Sequence, residues 1–149
     1  MFRKLLLFKF APESKDLALL FLRVIAAVNI LLKHGLEKVL DYQGMYLRLS
    51  ANHFYVIPLG VGISLFCATV ADAILTVPLA LGLATRWCAL LCFVNLAVAW
   101  SMVGHFIYND PHNFIGSTHG ELVVSYLASL IALAFAGGGK YSIDTLIDR

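Results

Sequence analysis

The chain has 149 residues, of which 60% are hydrophobic and 13% charged, with a mean hydropathy of +0.84. Soluble domains carry roughly 45–50% apolar and about 25% charged residues, and a chain of about 150 residues buries only about 70% of its unfolded surface. A soluble enzyme and a soluble binding module are both excluded, and the first partner the composition demands is the lipid bilayer. The net charge is +2, from 11 Lys and Arg against 9 Asp and Glu, and no basic run is interleaved with aromatics, so nucleic acid is not a partner.

Residues 1–16 begin MFRKLLLFKF, where Arg3, Lys4 and Lys9 interrupt the apolar residues. A secretory leader needs an unbroken apolar stretch and a small-residue cleavage site, and Ala11-Pro12-Glu13 supplies neither. The segment reads as a short amphipathic anchor on the membrane surface, with a frayed basic terminus as the other reading. Four apolar runs follow, at about 17–40, 54–83, 86–107 and 119–137. Each supplies the roughly 20 residues that a helix needs to cross about 30 Å of hydrocarbon. The expected fold is therefore an all-α membrane protein: a four-transmembrane-helix bundle over 17–137, followed by a tail over 138–149. The second run is over-long for one crossing. Pro58, Gly60 and Gly62 near its start and Pro78 near its end predict an interfacial lead-in, a kink or a tilt.

Orientation follows from the Lys and Arg outside the spans. Arg3, Lys4, Lys9 and Lys15 precede the first span, Arg86 lies in the second loop, and Lys140 and Arg149 lie in the tail; the other side has Lys38 and Arg48, plus Lys33 one turn inside the span. Both termini are predicted to be cytoplasmic. Cys67, Cys88 and Cys92 all fall within spans, away from any oxidising loop, and read as packing residues rather than disulfide partners. No CxxC, dinucleotide fingerprint or P-loop is present, so any redox chemistry needs a partner subunit.

Ionisable residues in a span are costly and so carry functional weight. Arg23 sits about 10 Å inside the first span and Asp72 about 17 Å above the corresponding end of the second, a gap a long side chain can close. An interhelical Arg23–Asp72 ion pair is expected, with structural glue as its plainer role. Counting 100° per residue, Arg23, Ala27, Ile30, His34 and Glu37 share a stripe on the first span, with Lys38 at its edge. On the fourth span Glu121, Ser125, Ala128, Ala132 and Ala136 form a small-residue face suited to helix contact, within the chain or between copies in a homo-oligomer.

All five histidines, His34, His53, His105, His112 and His119, fall on the outward half of this topology. If the first, third and fourth spans meet at their outer ends, His34, Glu37, Lys38, His105, His119 and Glu121 line one cavity. Three chemistries suit such a set: transition-metal ligation by His34, His105, His119 and Glu121, proton handling beside a quinone headgroup, or a pH-sensitive interface. Interfacial anchoring by His and Tyr is the plainer reading.

At these residues the sequence resembles the DoxX family of small four-span membrane proteins, from about Leu17 to Asp144. The resemblance rests on Leu22-Arg23, His34-Gly35-Leu36-Glu37-Lys38, the intramembrane acid Asp72, Leu81-Gly82-Leu83-Ala84-Thr85-Arg86, and Gly120-Glu121. The tail Gly137-Gly138-Gly139-Lys140-Tyr141-Ser142-Ile143-Asp144 is similar to the family's closing Gly-Pro-Gly-Arg-Tyr-Ser-Leu-Asp. Asp72 stands where the family has Glu, Gly138 where it has Pro, and the His-rich third loop is atypical. The resemblance implies a bacterial or archaeal cytoplasmic (inner) membrane and a subunit of a redox complex, quinone-linked and partnered by another membrane or periplasmic subunit. Two other readings remain beside it: a metal-binding or metal-handling membrane protein, and a non-catalytic scaffold or assembly factor.

Overall fold

The computed structural model describes residues 15–51, 60–106 and 118–148, with side chains described at 15–51, 60–102 and 120–148. The amphipathic segment expected at the N-terminus lies outside them, as do His53 and His112. All regular structure among the described residues is helical: α1 (Lys15–Leu40), α2 (Tyr42–Ala51), α3 (Val61–Leu81), α4 (Thr85–Phe106), α5 (Thr118–Ala136) and α6 (Ile143–Ile147). Helices α1, α3 and α4 are long and apolar enough to cross a membrane, and α5 adds a shorter apolar helix over Gly120–Ala136.

These four run antiparallel to their chain neighbours. Their shared core is Ala27 and Ile30 of α1, Leu79 of α3, Cys88, Ala89, Cys92 and Leu96 of α4, and Leu130 and Leu133 of α5. Most large side chains outside this core stay exposed, among them Phe21, Ile25 and Leu32 of α1, Phe66 and Ile74 of α3, and Phe135 of α5. That inversion fits a bundle whose solvent is lipid, where apolar surface needs no burial.

Two helices contain a widened turn. In α1 the Leu36 N–H bonds the Leu31 carbonyl, and in α3 the Leu75 N–H bonds the Val70 carbonyl, each five residues back instead of four. The second has a local cause: Pro78 cannot donate to residue 74, so the ladder loosens just before it, and Leu79 resumes the normal pattern with Leu75. The sequence-predicted kink in this run thus takes the form of a wide turn one turn upstream of the proline. Helix α2 was not anticipated. Its signal was Asp41, whose carboxylate accepts from the Gly44 N–H at 3.1 Å as a helix cap. Tyr42 donates to the Gly62 carbonyl at 3.4 Å, so α2 folds back across the start of α3.

At the opposite end, hereafter the tail end, the segment after α5 is tied into the bundle. Gly82, at φ +77, terminates α3 in the left-handed conformation and accepts from the Asp144 N–H at 2.9 Å. The Asp144 carboxylate accepts from the backbone N–H groups of Ala84 and Thr85, at 2.6 and 2.9 Å, and from the Thr85 hydroxyl at 2.8 Å. Asp16 at the start of α1 accepts from the Lys140 N–H at 2.9 Å. Burial pushes the Asp144 carboxyl pKa up, but these hydrogen bonds and the nearby Arg23 charge outweigh it and hold the group below the usual carboxylate range.

The sign of the pH dependence follows. A folded pKa below the unfolded value, about 4, means the stabilisation is complete above that pH and is lost as pH falls through the folded value. Hydrogen exchange at the Ala84 and Thr85 amides, corrected for intrinsic rate, is expected to accelerate below about pH 4. Asp144→Asn is expected to show the faster exchange already at pH 7, whereas unchanged protection would show that the tail is held by other contacts.

Candidate functional site

The expected Arg23–Asp72 pair does not form. Arg23, 2% exposed, donates to the carbonyl oxygens of Gly138, at 2.7 Å, and Tyr141. Asp72, 4% exposed, pairs instead with Lys38: Nζ lies 2.7 Å from Oδ2. The reason is axial register. A Cβ on Gly82 would lie 2.8 Å from the Arg23 guanidinium carbon, so Arg23 stands level with the end of α3, and the first two turns of α1 extend beyond it. Asp72, ten residues back along α3, is then about 15 Å away along the axis, beyond the reach of an arginine. It stands level with Gly35, where a Cβ would lie 2.9 Å from the Asp72 carbonyl carbon and 3.0 Å from Ala73 Cα.

Gly35 and Asp72 belong to the two widened turns, Leu31–Gly35 and Val70–Ile74, which face each other across the α1–α3 contact. The wide turn in α1 also explains which residue meets Asp72. One extra residue in a turn advances the helix phase by about 100°. The buried stripe of Arg23, Ala27 and Ile30 accordingly continues through Gly35 and half-buried Lys38, and Glu37 rotates out to the surface. Glu37 there lies 3.9 Å from Arg48 of α2, which also approaches Asp41 at 3.7 Å.

Around the pair the network is nearly saturated. Asn95 of α4 donates to Asp72 Oδ1 at 2.9 Å, and Lys38 donates a second bond to the His34 carbonyl at 3.1 Å. The Thr76 hydroxyl donates to the Asp72 carbonyl at 3.0 Å, and Cys92 Sγ to the Ala71 carbonyl at 3.2 Å. Asn95 is the residue that sequence reasoning missed. Its signal was present, since it follows Cys88 and Cys92 at i+7 and i+3 on one face of an apolar helix, where an amide needs a partner.

His34 is half-buried one turn before Lys38, its ring edge-on to Tyr126 of α5 with centroids 6.4 Å apart. No hydrogen bond to its ring nitrogens is found among the described residues. Of the carboxylates expected beside it, Glu37 and Glu121 both turn to the surface. Glu121 is exposed, and five residues from Tyr126 it lies about 140° around α5, on a different side from the ring that His34 meets. The whole set Glu121, Ser125, Ala128, Ala132 and Ala136 faces outward, so it does not serve packing within the bundle. Of the thiols, Cys88 and Cys92 are buried as expected, but Cys67 is exposed. His105 and His119 lie on α4 and α5, with side chains outside the described set. Among the described residues no three His, Cys, Asp or Glu come together as metal ligands.

A bundle of apolar helices, with exposed apolar side chains outside and an ion pair with an amide partner inside, defines a multi-span integral membrane protein. The DoxX family model matches residues 18–105, more than half of the chain, and the protein belongs to that family. The matched range holds Arg23, the His34–Lys38 motif, Asp72, Asn95 and the Leu81–Arg86 loop; it ends before Gly120-Glu121 and the tail. Comparison with curated proteins gave no match. Comparison with solved structures gave none either.

Proposed function

We propose that this protein is a membrane subunit of a quinone-linked redox complex, with His34 presenting its imidazole to the headgroup beside the Lys38–Asp72–Asn95 network. The observation that carries the reading is His34 itself: an imidazole on a membrane helix, held against Tyr126, with ring nitrogens that no described group occupies. A quinone carbonyl only accepts hydrogen bonds, and a neutral imidazole N–H is a donor that does not bring a charge into lipid. A flat ring also suits the face of Tyr126. When bound, the quinone supplies the electron chemistry; the chain's residues orient the ring and hold protons. Lys38 and Asp72, with Asn95 fixing the carboxylate, form a reserve of exchangeable protons one turn away.

The same reading takes four crossings, with residues 17–137 as the membrane domain, 1–16 and 138–149 as cytoplasmic extensions, and a bacterial or archaeal cytoplasmic membrane as the location. The support is the excess of Lys and Arg on the side of the tail and the antiparallel course of α1, α3, α4 and α5. On this topology the Lys38–Asp72 pair lies nearer the outward face. The reduced or oxidised partner is another membrane or periplasmic subunit, because the chain carries no redox motif of its own.

Binding of a short-chain quinone to the protein in lipid nanodiscs tests this. His34→Gln, which keeps a donor but moves it, is expected to weaken binding about tenfold, equivalent to ~1.4 kcal/mol or one hydrogen bond. Equal binding by His34→Gln and by wild type, or none by wild type, would leave the polar residues with a scaffolding role.

A further inference from the structure

Helix α6 is inverted with respect to a soluble surface helix. Its polar side chains turn into the bundle end: Ser142, 3% exposed, and Thr145 both donate to the Gly139 carbonyl, at 2.6 and 2.8 Å, and Asp144 grips Ala84 and Thr85. Two of its three apolar side chains turn outward, Leu146 67% and Ile147 69% exposed beside Tyr141 at 59%, while Ile143 is half-buried. A five-residue helix has no stability of its own, so this orientation is imposed by the polar anchor and does not reflect a loose end.

We propose that α6 lies in the headgroup–acyl boundary of the bilayer at the tail end, with Tyr141, Leu146 and Ile147 in contact with lipid. The patch continues the exposed apolar surface of the bundle. Phe135, in the last turn of α5, is 79% exposed, and Trp87, two residues beyond the Thr85 that Asp144 holds, is 70% exposed. Trp and Tyr concentrate at this depth because their rings are apolar and their N–H or O–H reaches water. Lys140, with 78% of its side chain exposed and its Nζ 3.9 Å from Asp16 at the start of α1, puts a charged pair at the same end of the bundle. The opposite boundary is marked by Tyr42 and Tyr46 of α2, both exposed and both against Gly62. From Gly62 to Gly82 is 20 helical residues, about 30 Å, the thickness of a hydrocarbon core. Two aromatic girdles therefore bracket one bilayer, and α6 belongs to the second.

Site-directed spin labelling of the full chain in liposomes tests this. In a Cys67→Ala background, where the remaining thiols Cys88 and Cys92 are buried, single nitroxides are placed at Leu146→Cys, Ile147→Cys and Lys140→Cys. Collisions with oxygen, which concentrates in lipid, are expected to exceed those with a water-soluble nickel chelate several-fold at 146 and 147, and the reverse is expected at 140. A nickel excess at 146 and 147 would place α6 in water and overturn the proposal. Protection from both reagents at these two positions would also overturn it, since a protein partner would then cover the helix.

Discussion

Asp72→Ala is expected to destabilise the protein by about 3–5 kcal/mol, the cost of leaving a buried charge without its partner. Lys38 is on a membrane helix with its ammonium 2.7 Å from the carboxylate, and the Asp72 side chain is 6% exposed. Without Asp72 the ammonium has no counter-charge, and the Asn95 amide loses its acceptor as well. Thermal unfolding in mild detergent reads the loss. Lys38→Met combined with Asp72→Leu removes both charges, and much of the stability is expected to return. A double-mutant cycle separates the present pairing from the one charge spacing alone suggests. Asp72 should couple strongly to Lys38 and negligibly to Arg23, whose bonds go to tail carbonyls about 15 Å away. Strong coupling of Asp72 to Arg23 would show that the helices have slid relative to this structure.

Gly35→Ala should cost about 1–3 kcal/mol through overpacking and loosen the ion pair along with the fold. The added methyl would press on the Asp72 carbonyl group and Ala73 Cα. Those neighbours are backbone atoms of α3, which cannot swing aside as a side chain can, so α1 and α3 must separate. Separation lengthens the Lys38–Asp72 contact, because the two residues sit on opposite sides of that crossing. Gly35→Ala is therefore expected to lower the unfolding temperature and to weaken the measured Lys38–Asp72 coupling together. A lowered temperature with the coupling intact would mean that the helices accommodate the methyl without moving apart at that level.

Much of the fold was legible because lipid imposes simple rules on composition. Long apolar runs must be helices, since every backbone N–H and C=O in hydrocarbon needs an internal partner. The runs at 17–40, 86–107 and 119–137 agree with α1, α4 and α5 to within a few residues, and Pro78 announced a disturbance in α3. Helix α2 was less legible because its ten residues carry no apolar run, only the Asp41 cap.

The site was read less well, for a physical reason that two residues expose. Arg23 and Asp72 were marked as charges in need of partners, and both are buried with partners; the choice of partner depended on how far α1 slides past the end of α3, which no periodicity records. His34 and Glu37 were placed on one stripe by counting 3.6 residues per turn, and the wide turn at Leu31–Gly35 broke that count. It rotated Glu37 outward and brought Lys38 in.

By itself the sequence determined that this is a helical membrane protein, where its long apolar helices lie, and which buried charges must be neutralised, because each of these follows from the cost of polar groups in lipid. Only the tertiary structure decided that Lys38 neutralises Asp72, that Arg23 clasps the tail, and that Asn95 joins the network. Those pairings depend on axial register and helix phase, which are set where Gly35 lets two backbones touch.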